Sequence, residues 1–195
     1  MTETPTLPPL ELPIRTERMV LRDFRFDDLE AVHAYASDPE VVRYMPWGPN
    51  TEDDTRERMK FSETEAATCP RTEYNLAIEL LAEQRVVGSI ALHPVDLPNG
   101  TMMTGYCLRR DLWGRGLVFE AARALLDAGF GQLGLHRIFA TCDVRNTGSW
   151  RVMEKLGMRR EGLLRKDRLV RGEWRDTYVY AVLAEEWSRR GDLAG

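Results

Sequence analysis

Hydrophobic and polar positions recur along the chain with two different periods, and each change of period marks an element. Residues 1–14 carry no period and hold four of the ten prolines, which predicts an extended arm ahead of a domain spanning 15–190. Regular structure is expected from Arg18, with Met19-Val20-Leu21-Arg22-Asp23-Phe24 as a first strand. Leu29, Val32, Tyr35 and Ala36 follow at helical spacing, and Asp27 with Glu30 predicts a capping box for a helix to about Ser37. Pro39, Pro46, Gly48 and Pro49 break the pattern around Tyr44, Met45 and Trp47. Thr51 and Asp54 then predict a cap for an acidic helix to about Ala67. Residues 74–81 and 85–92 predict a hairpin, and Pro98-Asn99-Gly100 a turn into a third strand at 102–109. From Gly116 the period becomes helical again, through Leu117, Ala121, Ala124, Leu125 and Ala128 to about Leu133. A strand at 137–144, a helix at 146–156 and a hairpin at 158–183, turning near Arg171-Gly172, complete the order. The whole is a mixed α/β pattern, in which a strand, a long helix and a strand form one right-handed crossover between parallel neighbours.

Composition narrows the function classes. The 195 residues are 43% hydrophobic and 30% charged, enough for one ordinary core without disulfide or metal staples. A net charge of −4 argues against a broad polyanion partner such as nucleic acid, though not against one local basic pocket. Cys69, Cys107 and Cys142 form no CxxC pair, so neither a disulfide framework nor a zinc site is expected. The longest apolar run, 178–184, is far shorter than the roughly 20 residues of a membrane span. These features predict a soluble, cytoplasmic protein without metal.

The chemistry is expected at the turn between the third meander strand and the long helix, Arg109-Arg110-Asp111-Leu112-Trp113-Gly114-Arg115-Gly116-Leu117. Two glycines allow a sharp bend, and a helix start offers unpaired N–H groups and the positive end of its dipole. Together they make an anion site, with Arg109, Arg110 and Arg115 nearby. It is neither of the two common nucleotide motifs. Phe119 stands where a dinucleotide fingerprint needs a small residue, and the Gly-Lys-Ser/Thr of a P-loop is absent.

The run Gly105-Tyr106-Cys107-Leu108, followed by Trp113-Gly114-Arg115-Gly116-Leu117-Val118-Phe119-Glu120-Ala121, resembles the acetyl-CoA motif of the GNAT superfamily of N-acetyltransferases. It is closest to the branch that acetylates ribosomal-protein N-termini. Thr16-Glu17-Arg18, Val87-Gly88-Ser89-Ile90, Asn146-Thr147-Gly148-Ser149 and Glu154-Lys155-Leu156-Gly157-Met158 agree in the same order. The resemblance implies an acyl-CoA N-acyltransferase fold, whose central strands splay at a bulge. It places the pantetheine arm of acetyl-CoA along Tyr106, Cys107, Leu108, Arg109 and Arg110, with Asn146 beside it. The pyrophosphate falls on the turn at Gly114, on the amides of Arg115, Gly116, Leu117 and Val118, and near Phe119. Val118 and Phe119 depart from the family's usual small residue and Thr.

Amide formation needs a neutral amine, a donor for the oxyanion and a proton for the leaving thiolate. The resemblance implies Ser149 as that proton donor, while Asn146 and Ser149 equally fit a plain helix cap. A backbone N–H at Cys107 or Leu108 fits the oxyanion. Many relatives carry a basic carboxylate where Met103 stands, which leaves His93, Glu120 or Glu79 as base, or bulk water. A Cys142–His136 nucleophilic pair is a rival arrangement. The expected activity is direct transfer to a primary amine, a protein N-terminus or a small amine such as an aminoglycoside or polyamine. A non-catalytic CoA-binding module is the alternative, and a homodimer is a possible assembly. The negative flank of the acidic helix offers an attraction for a cationic acceptor, or simply a solvated face.

Overall fold

The computed structural model describes residues 8–191, with side chains through Arg189. Eight strands form one sheet in the order β1-β2-β3-β4-β5-β6-β8-β7. They are β1 (Ile14–Arg15), β2 (Met19–Arg22), β3 (Tyr74–Leu80), β4 (Arg85–Asp96), β5 (Thr101–Leu108), β6 (Arg137–Asp143), β7 (Arg159–Val170) and β8 (Glu173–Leu183). Five α-helices accompany them: α1 (Leu29–Ala36), α2 (Glu52–Ala67), α3 (Leu117–Gly131), α4 (Thr147–Lys155) and α5 (Ala184–Gly191). Every strand pair is antiparallel except β5 with β6, the pair joined through α3. Among the described residues no helix is long and apolar enough to cross a membrane.

Strand alternation sends side chains to two cores on opposite sides of the sheet. Ile90, Leu92, Met102 and Leu108 pack with Leu117, Ala121, Leu125 and Met153 of α3 and α4. Ala77, Val86 and Cys107 pack against Val32, Tyr35 and Ala36 of α1 and Met59 of α2. The sheet therefore separates an α3/α4 side from an α1/α2 side.

Gly88 shows how tightly the middle strands approach. A Cβ there would lie 2.2 Å from the Cys107 carbonyl oxygen, which as backbone cannot turn away. Gly88→Ala is expected to cost about 3 kcal/mol through overpacking. In urea unfolding, the midpoint falls while the slope stays constant.

Three elements differ from the sequence expectation. Regular structure begins ahead of Arg18, where β1 pairs with β2, and the arm before it is docked: Leu10 is buried and its N–H donates to the Tyr74 hydroxyl at 3.0 Å. Residues 1–7 of that arm lie outside the described residues. The expected box of Asp27 and Glu30 does not form: Asp28 is the N-cap of α1 without a side-chain cap bond, and its carboxylate instead accepts the Arg25 N–H at 2.8 Å across the 3-10 turn Phe26–Asp28. Helix α5 was not expected at all. It docks through Trp187, whose indole donates to Asp127 of α3 at 2.7 Å and whose ring stacks near Phe130.

Candidate active site

The parallel pair β5–β6 is short. It joins Thr101 to Arg137, Met102 to Ile138 and Met103 to Phe139, and then the strands part. Beyond Met103, β5 stays on β4 as far as Leu108 and β6 stays on β8 as far as Asp143. The wedge between them opens into a cleft of about 1310 Å³ that reaches both sides of the sheet. The expected splay is present; the bulge that was to accompany it is not on this stretch. The β4–β5 ladder runs unbroken from His93–Met103 to Gly88–Leu108, and the register slips instead between Pro94 and Asp96.

The ladder decides which backbone groups face the wedge. Arg109 N–H donates to Val87 O at 2.8 Å, and antiparallel alternation then directs Cys107 and Gly105 to β4 as well. Thr104, Tyr106 and Leu108 direct their N–H and C=O groups at the wedge. Of the two amides expected for an oxyanion, that of Leu108 lies on this side and that of Cys107 does not. Leu108 O is already taken by the Trp113 indole at 2.8 Å. The Thr104 hydroxyl is buried in the cleft wall without a hydrogen-bond partner.

At the wide end of the wedge, Gly114 and Gly116 both have φ of 75°, a left-handed conformation that favours glycine. Gly116 is the N-cap of α3 and has no side chain to satisfy the first amides, so those of Leu117, Val118 and Phe119 are left for a ligand. A Cβ on Gly114 would meet nothing within 4 Å, which leaves room for a bulky anion. Acetyl-CoA fits this donor set. The arginines expected to help are placed otherwise. Arg109 is held by Asp111 at 2.6 Å and by Glu83 at 3.0 Å, and does not line the cleft. Arg110 and Arg115 are exposed and do not line it either. One cleft cation was missed in the sequence reading: Lys155 Nζ lies 4.5 Å from the centroid of the Phe119 ring, which is itself in the first turn of α3. Phe119, which costs the site a hydroxyl, thereby positions a positive charge.

Ser149 sits one turn into α4, on the α3/α4 side. Its N–H donates to the Asn146 side chain at 3.2 Å, so Asn146 caps the helix and lines the cleft at once. The Tyr106 hydroxyl donates to Ser149 O at 3.0 Å and lies 3.2 Å from Ser149 Oγ. Burial pushes the Tyr106 phenol well above the ordinary tyrosine range, although Ser149 opposes the shift, and so keeps it a protonated donor. Burial pushes the Cys142 thiol up to about 11, the Ser149 side chain pulling the other way, which leaves it protonated at neutral pH. His136 lies at the other end of β6, where its N–H pairs with Gly100, so no Cys–His pair forms. Burial likewise pushes Cys107 up to about 12, the Leu108 amide pulling the other way.

The base candidates separate clearly. Glu120 accepts Arg18 N–H at 2.9 Å and Arg18 Nε at 2.6 Å, and lies outside the cleft. Burial alone would raise its carboxyl, but the hydrogen bonds from Thr16 and Arg18 outweigh burial and hold it low. It braces the turn, since Arg18 also donates to Arg115 O at 3.0 Å. Glu79 binds Arg22 and is likewise outside the cleft. His93 remains. It lines the cleft from the α1/α2 side, and its Nδ1 touches the Glu73 carboxylate.

On that side Tyr44, Met45, Pro46 and Trp47 form a wall, and α2 adds Asp54, Thr55, Arg58, Met59 and Ser62. One acid and one base come from α2, so its acidic residues mostly face solvent. The wall is pinned by Arg171, at the β7–β8 turn. Its guanidinium donates to the carbonyls of Val42, Trp47 and Gly48 at 3.2, 2.9 and 2.6 Å, and to those of Arg43 and Met45 at 3.4 Å.

Comparison with known proteins bears on this geometry. Residues 18–159 match the model of the acetyltransferase (GNAT) domain. An uncharacterized N-acetyltransferase of Bacillus subtilis (strain 168) is 37% identical over 175 residues, covering 90% of this chain and 99% of that protein. The ribosomal protein uS5-alanine N-acetyltransferase of Escherichia coli (strain K12) is 31% identical over 84 residues, 43% of each chain. A crystal structure of a GNAT-family acetyltransferase from Bacillus anthracis is 41% identical, with a TM-score of 0.79 over 90% of this chain and all of that one.

Proposed function

Since the chain belongs to the GNAT acetyltransferase family, we propose that it moves the acetyl group of acetyl-CoA to a primary amine, foremost a protein N-terminus, in one ternary complex. The observation that carries this reading is the cleft through the sheet, with a hydroxyl on one side and an imidazole on the other. Acetyl-CoA supplies the activated thioester carbonyl. The α3 amides and Lys155 hold its pyrophosphate, while the wedge edges of Thr104 and Tyr106, with Asn146, align its pantetheine arm. Leu108 N–H is the donor to the carbonyl oxygen. His93 takes the proton of the incoming amine, and Ser149, backed by Tyr106, gives one to the departing sulfur.

Charge favours a peptide over a polycation. The cleft acids Glu40, Asp54 and Asp143 are outnumbered by Arg58, Arg151, Lys155, Arg168 and Arg175, and Asp143 is already paired with Arg145 and Arg175. An aminoglycoside or polyamine would need several free carboxylates, whereas a peptide α-amine can use the aromatic and apolar wall at 44–47. The alanine acetyltransferase among the relatives supports the same choice.

The test is calorimetry with acetyl-CoA, followed by thiol release across peptides of varied N-terminus, polyamines and aminoglycosides. The expected result is acetyl-CoA binding and faster turnover with peptides. No binding heat, or no amine-dependent thiol release, would sink the reading.

A further inference from the structure

Behind His93, away from the cleft, stand two carboxylates that the transfer reaction has not used. Glu73 precedes β3 and contacts His93 Nδ1. Glu65, in the last turn of α2, is close enough to Glu73 for the two carboxylates to interact, its side chain is 9% exposed, and no donor bonds either of its oxygens. Glu73 and Glu65 do not line the cleft, whereas His93 does. With Nδ1 turned to Glu73, the ring edge left for the cleft carries Nε2. His93 also lies directly across the β4–β5 ladder from Met103, on the face that looks towards α1 and α2.

We propose that Glu73 is a positioning residue that holds His93 as its Nδ1–H tautomer, with Nε2 left to face the cleft. The inference rests on the acetyl-transfer reading above. As the C–N bond forms and the C–S bond breaks, the amine proton passes to His93 Nε2, directly or through one water. The thiolate takes its proton on the Ser149 side, and solvent balances the two. The imidazolium so formed is met by the Glu73 carboxylate, which lowers the cost of charging a half-buried ring.

The surroundings agree. Burial pushes Glu65 up to about 7, and the Glu73 charge adds to the shift. Two carboxylates in one site cannot both ionise easily, and a proton on Glu65 turns one of its two otherwise orphaned oxygens into a donor. The charges facing the group are few. From α2 come Glu65 and Arg58, whose guanidinium is 3.8 Å from Glu65. From the link before β3 comes Arg71, which donates to Glu73 O and is bound to Asp23. From β5 comes uncharged Met103.

The experiment has an arm that does not read turnover. The ring-nitrogen NMR signals of 15N-labelled protein, assigned with His93→Gln, are expected to show one neutral Nδ1–H tautomer. In steady-state kinetics Glu73→Gln lowers kcat at least tenfold with acetyl-CoA affinity unchanged, and Glu73→Asp restores most of it. His93→Gln/Glu73→Gln is no slower than His93→Gln, because both changes remove one function. An Nε2–H tautomer, a wild-type kcat in Glu73→Gln, or additive losses in the double variant each overturn the proposal. If the wild type releases no thiol with any amine, acetyl transfer itself fails, while the tautomer measurement still judges Glu73.

Discussion

Ser149→Ala is expected to lower kcat about 100-fold, at the modest end for general acid catalysis because a thiolate is already a fair leaving group. The fold should survive. The Tyr106 hydroxyl keeps its bond to the carbonyl of residue 149, and the helix keeps its Asn146 cap through the backbone N–H of that residue. Acetyl-CoA affinity should change little, since the α3 amides and the wedge edge are untouched. Ser149→Thr retains a hydroxyl and should recover part of the rate. Single-turnover kinetics with saturating acetyl-CoA separates this from an effect on binding; a wild-type rate in the alanine variant removes Ser149 from the chemistry.

Arg22→Met should be strongly destabilising although it lies outside the cleft. Arg22 is buried in β2 and binds Asp28 through two bonds of 2.7 and 2.9 Å, while its Nε meets Glu79. Its guanidinium also donates to Asp23 O at 2.9 Å. Removing it strands buried Asp28 and largely buried Glu79 with no cation between them. Leaving such charges uncompensated costs about 3–5 kcal/mol. For a chain of this length that corresponds to a fall in Tm of about 10 °C. Calorimetric melting measures it, and a shift below about 3 °C would show that water reaches these carboxylates. The double change Arg22→Met with Asp28→Leu should recover part of the loss, because the pair is then replaced by apolar volume.

What the residue pattern revealed and what it hid divide by sequence distance. The α2 cap was legible because Thr51 and Asp54 bond each other three residues apart, with Asp54 Oδ2 accepting Thr51 N–H at 2.9 Å. The start of α1 was not legible because the Asp28 carboxylate is taken by Arg22, six residues earlier, and by the Arg25 N–H, and so does not cap its own helix. The strand at 14–15 exists only because Leu21 and Val20 pair with it, a contact no local period announces. The same division runs through the site. The turn at 114–117 was legible from its two glycines, since their backbone demand is local. The role of the arginines was not: Arg109 is neutralised by Glu83, 26 residues earlier, and Glu120 is claimed by Arg18, 102 residues earlier. His93 could be named as a candidate from its side chain alone. Its partner Glu73, on the neighbouring strand's approach, could not.

The Arg171 clip carries a consequence for how the acceptor wall can change. Every group it holds at 42–48 is a main-chain carbonyl, so the clip does not read the side chains of that segment. Its sequence demand falls on Gly48, where φ is 70° and a Cβ would press on Val42 at 3.0 Å and on Ala36 O at 3.2 Å. Tyr44 and Trp47 are therefore exchangeable without loosening the backbone that carries them, whereas Met45 also packs on the α1/α2 core. The segment is a cassette held by its spine, and grafting other residues onto it is a route to a new acceptor on an unchanged cofactor site.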